Sequence, residues 1–178
     1  ESERLTELIN DIKKIASNDE NAPKERFTFN MKTIARHVAI SLDLFARKKD
    51  VSIILKCNDA IIHGVYSMLE EMAFNIVENA IKYNKENGSV IMKIEKITLE
   101  RDYLRLCVKD TGIGIAENQQ ERIFERFYRV DKARCREEGC SGLGLAMVKQ
   151  IALMHGGDVS LQSEIGKGST FTVDLPME

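Results

Sequence analysis

The chain has 178 residues, enough for one domain with a sizeable core and a short appendage. Its 43% hydrophobic content excludes a disordered composition, and a formal net charge of −2 gives no basic field for binding nucleic acid. No apolar run approaches the roughly 20 residues of a membrane-spanning helix. The first residues do not form a signal peptide. Because the chain opens without Met, we interpret it as a fragment of a longer protein.

The first predicted element is an amphipathic helix over residues 4–16. Its apolar residues, which recur at helical spacing, are Leu5, Leu8, Ile9, Ile12, Ile15 and Ala16. We favour the end of a longer bundle helix over a helix packed on its own domain, because so short a segment leaves the stripe without a partner. The polar residues that follow, which include Pro23, predict a linker.

The remaining chain alternates between strand and helix patterns. The predicted strands are a short one beginning at Phe27, then 51–56, 89–99, 103–109, 159–162 and 170–175; the predicted helices are 31–49, 64–84 and 142–155. Residues 111–141 are polar and punctuated by glycine, and Gly156-Gly157 predicts the end of the third helix. The pattern indicates an α/β (α+β) two-layer sandwich, with one mixed sheet against three helices.

The four cysteines do not have the spacing of a zinc site. Cys57 and Cys107 lie in apolar strand patterns, so we expect them to be small core residues. Cys135 and Cys140 share the polar segment and could oxidise together, although nothing else in the sequence indicates an oxidising compartment.

The helix over 64–84 has two chemically different faces. At about 100° per residue, Asn75, Asn79 and Lys82 fall within one narrow arc. The opposite arc carries apolar residues, namely Leu69, Ala73, Ile76, Val77 and Ala80. Amide oxygens suit Mg²⁺ and a lysine suits phosphate, but a solvated polar face is the alternative that this motif alone leaves open.

Three glycine motifs follow. Asp110-Thr-Gly112-Ile-Gly114 stands at a strand end, where the carboxylate could accept a hydrogen bond from an exocyclic amine, although Asp-Thr-Gly is also ordinary turn chemistry. Gly142-Leu-Gly144 opens directly into a helix, whose N-terminal N–H groups suit phosphate. Its spacing is neither that of a P-loop nor that of a Rossmann unit. The third motif, Gly166-Lys-Gly168, would by itself be a hairpin turn.

The order and spacing of these motifs resemble the Bergerat ATP-binding fold, which gyrase, heat-shock chaperones, mismatch-repair proteins and histidine kinases share. Within that group, residues 25–178 resemble the catalytic domain of sensor histidine kinases. The stretch Ile123-Phe-Glu-Arg-Phe-Tyr-Arg129 is similar to the phenylalanine box of the kinase ATP lid, here about residues 116–141. Residues 1–17 resemble the end of the second helix of the dimerisation and phosphoacceptor hairpin, joined by a linker over 18–24.

The resemblance implies a role for each matching position. Asp110 holds the adenine amino group, Asn79 ligates Mg²⁺, and Arg129 reaches the γ-phosphate when the lid closes. Thr170 supports the adenine pocket near Asp110. The implied nucleotide-binding residues are Asn75, Asn79, Lys82, Tyr83, Asp110, Gly112, Gly114, Ile115, Arg129, Gly142, Leu143, Gly144, Leu145 and Thr170, with Asn75 and Arg129 also catalytic.

The residue at position 75 distinguishes branches of the fold. ATP-hydrolysing members carry a glutamate four residues before the magnesium asparagine, and here that position is Asn75. An amide cannot act as a general base, so a kinase is favoured over a gyrase-like or chaperone-like ATPase. Two further hypotheses are a non-catalytic ATP-binding pseudokinase and a serine-directed relative of the anti-sigma-factor type; the phenylalanine box and the leading bundle helix argue against the latter.

The sequence departs from the family pattern in two places. Cys140 stands where the lid usually has the first glycine of Gly-x-Gly-x-Gly, with Gly139 beside it. The acceptor box, a histidine followed by an acidic residue, is absent, and we expect His37, His63 and His155 to be structural. The fragment should therefore not phosphorylate itself efficiently.

The resemblance implies the following activity and partners. ATP and Mg²⁺ are the expected ligands, with ADP as product, and the γ-phosphoryl passes to the histidine of the protein's own hairpin and then to an aspartate of a response regulator. We expect no nucleic-acid partner. We expect a homodimeric parent protein and a cytoplasmic location, as a fragment of a membrane-associated sensor.

Overall fold

The computed structural model describes residues 25–130 and 141–177. The predicted N-terminal helix, the linker, and Cys135 with Cys140 lie outside the described residues. In the part of the chain that is described, no helix is both long and apolar enough to cross a lipid bilayer.

The described chain contains seven strands, four α-helices and one short 3₁₀ helix. Their bounds are β1 Phe27–Asn30, α1 Met31–Lys48, β2 Val51–Cys57, β3 Ile61–Gly64, α2 Tyr66–Lys82, β4 Gly88–Thr98, β5 Asp102–Asp110, α3 Glu117–Gln120, the 3₁₀ helix Arg122–Phe124, α4 Gly144–Met154, β6 Asp158–Glu164 and β7 Gly168–Pro176. The predicted fold class, a two-layer α/β sandwich with a mixed sheet, is confirmed.

The main sheet has five strands in the order β2-β4-β5-β7-β6. β2 runs parallel to β4, and the other neighbouring pairs are antiparallel. Alternate residues of β5 and β7 are buried against the helices, while the residues between them lie on the other face of the sheet. This alternation decides which side chains of the glycine motifs reach the functional site.

The helices lie on one face of this sheet, and their buried faces follow the predicted periodicity. In α1, Ile34, Val38 and Leu42 are buried, as expected, and Phe45 packs partly buried against the core. All five apolar residues predicted on the inner arc of α2 are buried as well. α1 begins where the Asn30 side chain accepts a hydrogen bond from the backbone N–H of Lys32, an N-cap.

Three expectations about secondary structure are corrected. β1 does not join the main sheet; it pairs with β3, a strand that the sequence did not predict, in a separate two-stranded sheet. The second helix therefore begins at Tyr66, two residues later than predicted, because the chain before it is committed to β3. The polar segment after β5 contains the short helix α3 and the 3₁₀ helix.

The expectation for the two strand cysteines is correct for one of them. Cys57 packs partly buried against the core, and burial raises the pKa of its thiol. The expectation of a core position is wrong for Cys107. Its neighbours Leu106 and Val108 point into the core, so Cys107 lies on the opposite face of β5.

Candidate functional site

The polar face of α2 lies beside the N-terminus of α4. Asn75, Asn79 and Lys82 are partly exposed on α2, whereas the core face of the same helix is fully buried. The Asn75 side chain is fixed by a hydrogen bond from its Nδ2 to the carbonyl oxygen of Glu71 (2.9 Å). A Cβ at Gly144 would lie 2.8 Å from Asn75 Oδ1, so the glycine at the start of α4 permits this close approach.

Asp110 is a buried carboxylate at the end of β5, with 6% of its surface exposed. Its Oδ1 accepts hydrogen bonds from the backbone N–H groups of Gly112 (2.8 Å) and Ser169 (3.1 Å). Among the described residues, Oδ2 accepts none. Burial raises the pKa of Asp110, and the two backbone donors oppose that rise. The two backbone hydrogen bonds to Oδ1 therefore hold the carboxylate in one orientation, and Oδ2 can accept a hydrogen bond from a ligand.

The loop after Asp110 is fastened to the end of α2. The backbone N–H of Ile113 donates to the carbonyl oxygen of Tyr83 (3.1 Å). A Cβ at Gly112 would overlap the same oxygen, so this position requires glycine. The aspartate motif and the asparagine helix are thus in direct backbone contact.

A side-chain network that the sequence analysis missed reinforces this junction. Asn84 Nδ2 donates to the carbonyl oxygens of Ala80 and Ser89, and the Thr111 hydroxyl donates to Asn84 Oδ1 (3.0 Å). Asn84 therefore holds the last turn of α2 to β4 and to the end of β5. The only sequence indication was an asparagine at the end of the helix predicted over 64–84.

The same loop packs on the β6–β7 hairpin. Gly114 has φ +71°, and a Cβ there would overlap the carbonyl oxygen of Glu164. The backbone N–H of Gly166 donates to the carbonyl oxygen of Ile113 (2.8 Å), and that of Ile115 donates to Ser163 Oγ (2.8 Å). The glycine motif thus allows the loop to lie directly against the hairpin.

The expected neighbour of Asp110 in the last hairpin is shifted by one residue. Thr170 pairs with Lys109 in the sheet register, and its alternation with buried Ser169 and Phe171 puts it on the opposite face from Asp110. Ser169, which the sequence analysis did not select, donates its backbone N–H to Asp110. The expectation that Thr170 supports Asp110 is therefore wrong, because strand parity decides which of two adjacent hydroxyl residues faces the site.

Residues of the phenylalanine box pack the first part of the predicted lid, up to residue 130, onto the rest of the domain. Ile123 is buried, and the ring of Phe124 meets Phe171 edge-on at 6.3 Å between centroids. The guanidinium of Arg122 lies 4.3 Å from the centroid of the Tyr128 ring, a cation–π contact. These contacts fix the segment immediately before Arg129, which is partly exposed.

Gly142 has a conformation that only glycine adopts readily. Its φ is +74°, and a Cβ there would lie 3.0 Å from the backbone of Phe127. The Phe127 N–H donates to the carbonyl oxygen of Gly142 (2.9 Å). Leu143, fully buried, and Leu145, which packs against the core, then seat the first turn of α4.

Each histidine has a contact within the domain. The backbone N–H of Val65 donates to His155 Nε2 (3.1 Å), and Nδ1 lies 2.8 Å from the carbonyl oxygen of Ile151. His37 Nδ1 lies 2.8 Å from the Tyr66 hydroxyl, and His63 Nδ1 lies 3.3 Å from the Thr28 hydroxyl. His155 is the buried one of the three, and it ties α4 to the junction of β3 and α2.

The site offers few protein ligands for a metal ion, which suits a cation whose other ligands come from a bound nucleotide and water. Among the described residues, no group of three or more His, Cys, Asp or Glu side chains forms a metal site. The amide oxygen of Asn79 is a hard ligand of the kind that Mg²⁺ accepts, and Mg²⁺ commonly takes its remaining ligands from phosphates and water. The residues present therefore fit a magnesium ion that arrives with a nucleotide.

The mixed sheet, the asparagine face of α2 and the glycine-bound loops around Asp110 and Gly144 together define the Bergerat fold. The family described as "Histidine kinase-, DNA gyrase B-, and HSP90-like ATPase" matches residues 64–178. The chain belongs to this family.

Individual relatives within the family are sensor histidine kinases. Sensor histidine kinase WalK of Bacillus subtilis is 36% identical over 182 residues, which covers 99% of this chain and 29% of WalK. The mycobacterial sensor histidine kinase MprB has a TM-score of 0.72 at 26% identity, covering 86% of this chain and 99% of that structure. Full-length ShkA in complex with AMPPNP has a TM-score of 0.84 at 26% identity, covering 97% of this chain and 36% of that one. The chain spans less than a third of the length of the curated relatives it matches, 29% for WalK.

Proposed function

We propose that this chain binds Mg·ATP between α2, the loop after β5 and the N-terminus of α4, as the catalytic domain of a sensor histidine kinase. The observation that carries the proposal is the geometry of Asp110. Its Oδ1 is occupied by two backbone donors, and its Oδ2 accepts no hydrogen bond from the described residues. A fixed, buried acceptor of this kind suits the exocyclic amine of adenine.

The phosphate end of the nucleotide would lie at the start of α4. Backbone N–H groups at a helix N-terminus attract anions, and α4 has 11 residues, enough for an appreciable helix dipole. Gly144 lets this terminus approach the Asn75 side chain, so the start of α4 and the polar face of α2 lie side by side. Gly142 and Leu143 shape the backbone entering the helix, and Lys82 and Tyr83 at the end of α2 would face phosphate and sugar.

Asn79 would hold magnesium through its amide oxygen. When bound, the ion would neutralise negative charge on the phosphates. Arg129 would add a second positive charge at the γ-phosphate, from the lid segment that the phenylalanine box fastens to the domain. Catalysis would then consist mainly of positioning and charge neutralisation.

The relatives and the residue at position 75 favour a kinase over an ATPase. The Asn75 amide donates to the Glu71 carbonyl and has no basic group to activate water. In the full-length protein, an imidazole nitrogen on the dimerisation hairpin would attack the γ-phosphorus while the bond to the β-phosphate oxygen breaks, releasing ADP. The phosphoryl group would pass from that histidine to an aspartate of a response regulator. A homodimeric, membrane-associated parent with this domain in the cytoplasm fits that role.

The proposal is tested by calorimetric titration of Mg·ATP into the chain and into Asp110→Asn, which has the same shape but presents an amide. We expect binding in the tens of micromolar, about −6 to −7 kcal/mol, lost in the variant and weakened without magnesium. Equal binding by both proteins would reject the adenine role of Asp110. No binding by the unsubstituted chain would favour a domain whose nucleotide site is disabled.

The choice between kinase and ATPase needs a separate measurement. The chain is incubated with Mg·ATP, and phosphate release is followed with and without a purified hairpin that carries the acceptor histidine. A kinase domain is expected to release almost no phosphate and to label the hairpin. Steady phosphate release without the hairpin would instead support a gyrase-like or chaperone-like ATPase.

A further inference from the structure

Ser163 on β6 contacts three parts of the candidate nucleotide site. Its hydroxyl accepts the backbone N–H of Ile115 at 2.8 Å and donates to the carbonyl oxygen of Gly168 at 3.1 Å. It also lies 2.9 Å from the hydroxyl of Ser169, its direct partner in the β6–β7 register. The resemblance to known kinases assigned no role to Ser163.

The hydroxyl hydrogens in this group have only one arrangement that satisfies every contact. Ser163 has a single hydrogen, and donation to Gly168 uses it. The Ser169 hydroxyl must therefore be the donor in the contact between the two serines. Both serine hydrogens are committed within the protein, so the oxygen of Ser163 holds the Ile115 N–H and the Ser169 hydroxyl together.

Ser169 continues this chain of hydrogen bonds to Asp110. Its backbone N–H donates to Asp110 Oδ1, so the residue whose side chain contacts Ser163 also orients the carboxylate. Ser163 is thus connected to Asp110, the proposed adenine acceptor, through one intervening residue, Ser169. It also contacts the loop after Asp110 directly, through Ile115.

Gln120, the last residue of α3, completes the group. Its Nε2 donates to the carbonyl oxygens of Ile115 (3.0 Å) and Ser163 (2.9 Å). Both backbone polar groups of Ile115 are therefore held by side chains, the N–H by Ser163 and the carbonyl by Gln120. A loop residue with both groups held in this way has little freedom to move relative to the hairpin.

We propose that Ser163 and Gln120 are positioning residues for the base end of the nucleotide site, acting through Ile115 and Ser169. This inference rests on the proposed nucleotide-binding function. Their contacts are to the Asp110 loop and the hairpin, and none of them reaches Asn75, Gly144 or α4. Ser163 and Gln120 should therefore control the affinity for the base and leave the phosphate end unchanged.

The test compares adenosine with Mg·ATP, because adenosine has the base and sugar but no phosphate. Both ligands are titrated into the unsubstituted chain, Ser163→Ala, Gln120→Leu and Ser160→Ala. Ser160 is the matched control, since it is a serine on the same strand but on its exposed face. Thermal unfolding of each variant verifies that it is folded, and Gln120→Leu, at a partly exposed side chain, provides a second variant if Ser163→Ala does not fold.

We expect Ser163→Ala to weaken adenosine and Mg·ATP by the same factor, about tenfold, and Gln120→Leu to weaken both by about threefold. Ser160→Ala should bind both ligands as the unsubstituted chain does. Unchanged adenosine binding in both site variants, a loss confined to Mg·ATP, or an equal loss in Ser160→Ala would each overturn the inference. If the unsubstituted chain binds neither adenosine nor Mg·ATP, the proposed function is rejected instead.

Discussion

Asn75 and Gly144 meet where the asparagine helix passes the start of α4. A Cβ on residue 144 would lie 2.8 Å from Asn75 Oδ1, closer than side chains pack. The contact is with the end of the Asn75 side chain, whose amide nitrogen is bonded to the Glu71 carbonyl, so an added Cβ would shift this amide from its present position. The absence of a side chain at position 144 therefore leaves the Asn75 amide in its present position beside the start of α4.

This contact predicts the effect of Gly144→Ala. The added methyl group should displace the Asn75 amide from the phosphate end of the site and lower Mg·ATP affinity about tenfold, about 1.4 kcal/mol. Adenosine binding should be unchanged, because the base end is built by the β5 loop and the hairpin. Calorimetry with both ligands checks this, and equal weakening of the two would show that the substitution disturbs the whole domain.

The second prediction concerns Asn79 and magnesium. If its amide oxygen is the protein ligand of the ion, Asn79→Ala should bind ATP with the same affinity in magnesium as in excess chelator. Asn58→Ala, an exposed asparagine in the loop after β2, is the matched control and should keep the magnesium dependence. Retained magnesium dependence in Asn79→Ala would reject the assignment.

The third prediction is a pH dependence of stability that His155 causes. Its contacts require a neutral ring, with the hydrogen on Nδ1 and a free lone pair on Nε2 for the Val65 N–H. Burial lowers its pKa from 6.5, the hydrogen bond to the Ile151 carbonyl opposes this shift in part, and nearby Arg26 lowers the pKa further. Below pH 6.5 the unfolded chain binds a proton before the folded one, so the free energy of unfolding should fall as the pH decreases.

His155→Gln tests this assignment. We expect the variant to lose about 1–3 kcal/mol at pH 7.5, because a hydrogen bond at a buried site is disturbed, and to lose less than the unsubstituted chain does between pH 7.5 and pH 5. Urea unfolding at a series of pH values measures both effects. If the free energy of unfolding falls by the same amount in both proteins between pH 7.5 and pH 5, His155 does not cause the pH dependence.

The fourth prediction concerns the face of the sheet away from the helices. Arg105 and Asp174 form a bidentate ion pair with both N–O distances 2.7 Å, and the hydrogen bond to Asp174 raises the pKa of Arg105. Both side chains are about one-third exposed, 34% and 28%, so Asp174→Asn should cost only about 0.5–1 kcal/mol. Mg·ATP affinity should be unchanged, and a double-mutant cycle with Arg105→Met should show a coupling energy that decreases with added salt.

Patterns within single elements could be predicted from the sequence because their causes are local. The apolar arc of α2 and the polar arc with Asn75 and Asn79 follow from helical periodicity, and the position of Asp110 at the end of β5 follows from strand and turn chemistry. Glycine at positions 114 and 142 permits the positive φ that both residues adopt, but Gly112 and Gly144 in the same motifs do not adopt it, so residue type alone does not decide the conformation. The order of these motifs along the chain was then enough to indicate the family.

Contacts between distant segments were decided only by the tertiary structure. β3 forms because Ile61 to Gly64 finds β1 more than 30 residues away, a pairing that no local pattern of four residues indicates. Ser169 rather than Thr170 faces Asp110 because strand parity is set by the register with β5, and the role of Ser163 depends on the register with β6. The sequence by itself predicted a set of candidate nucleotide-binding residues; strand pairing, which fixes side-chain direction, determined which side chains meet.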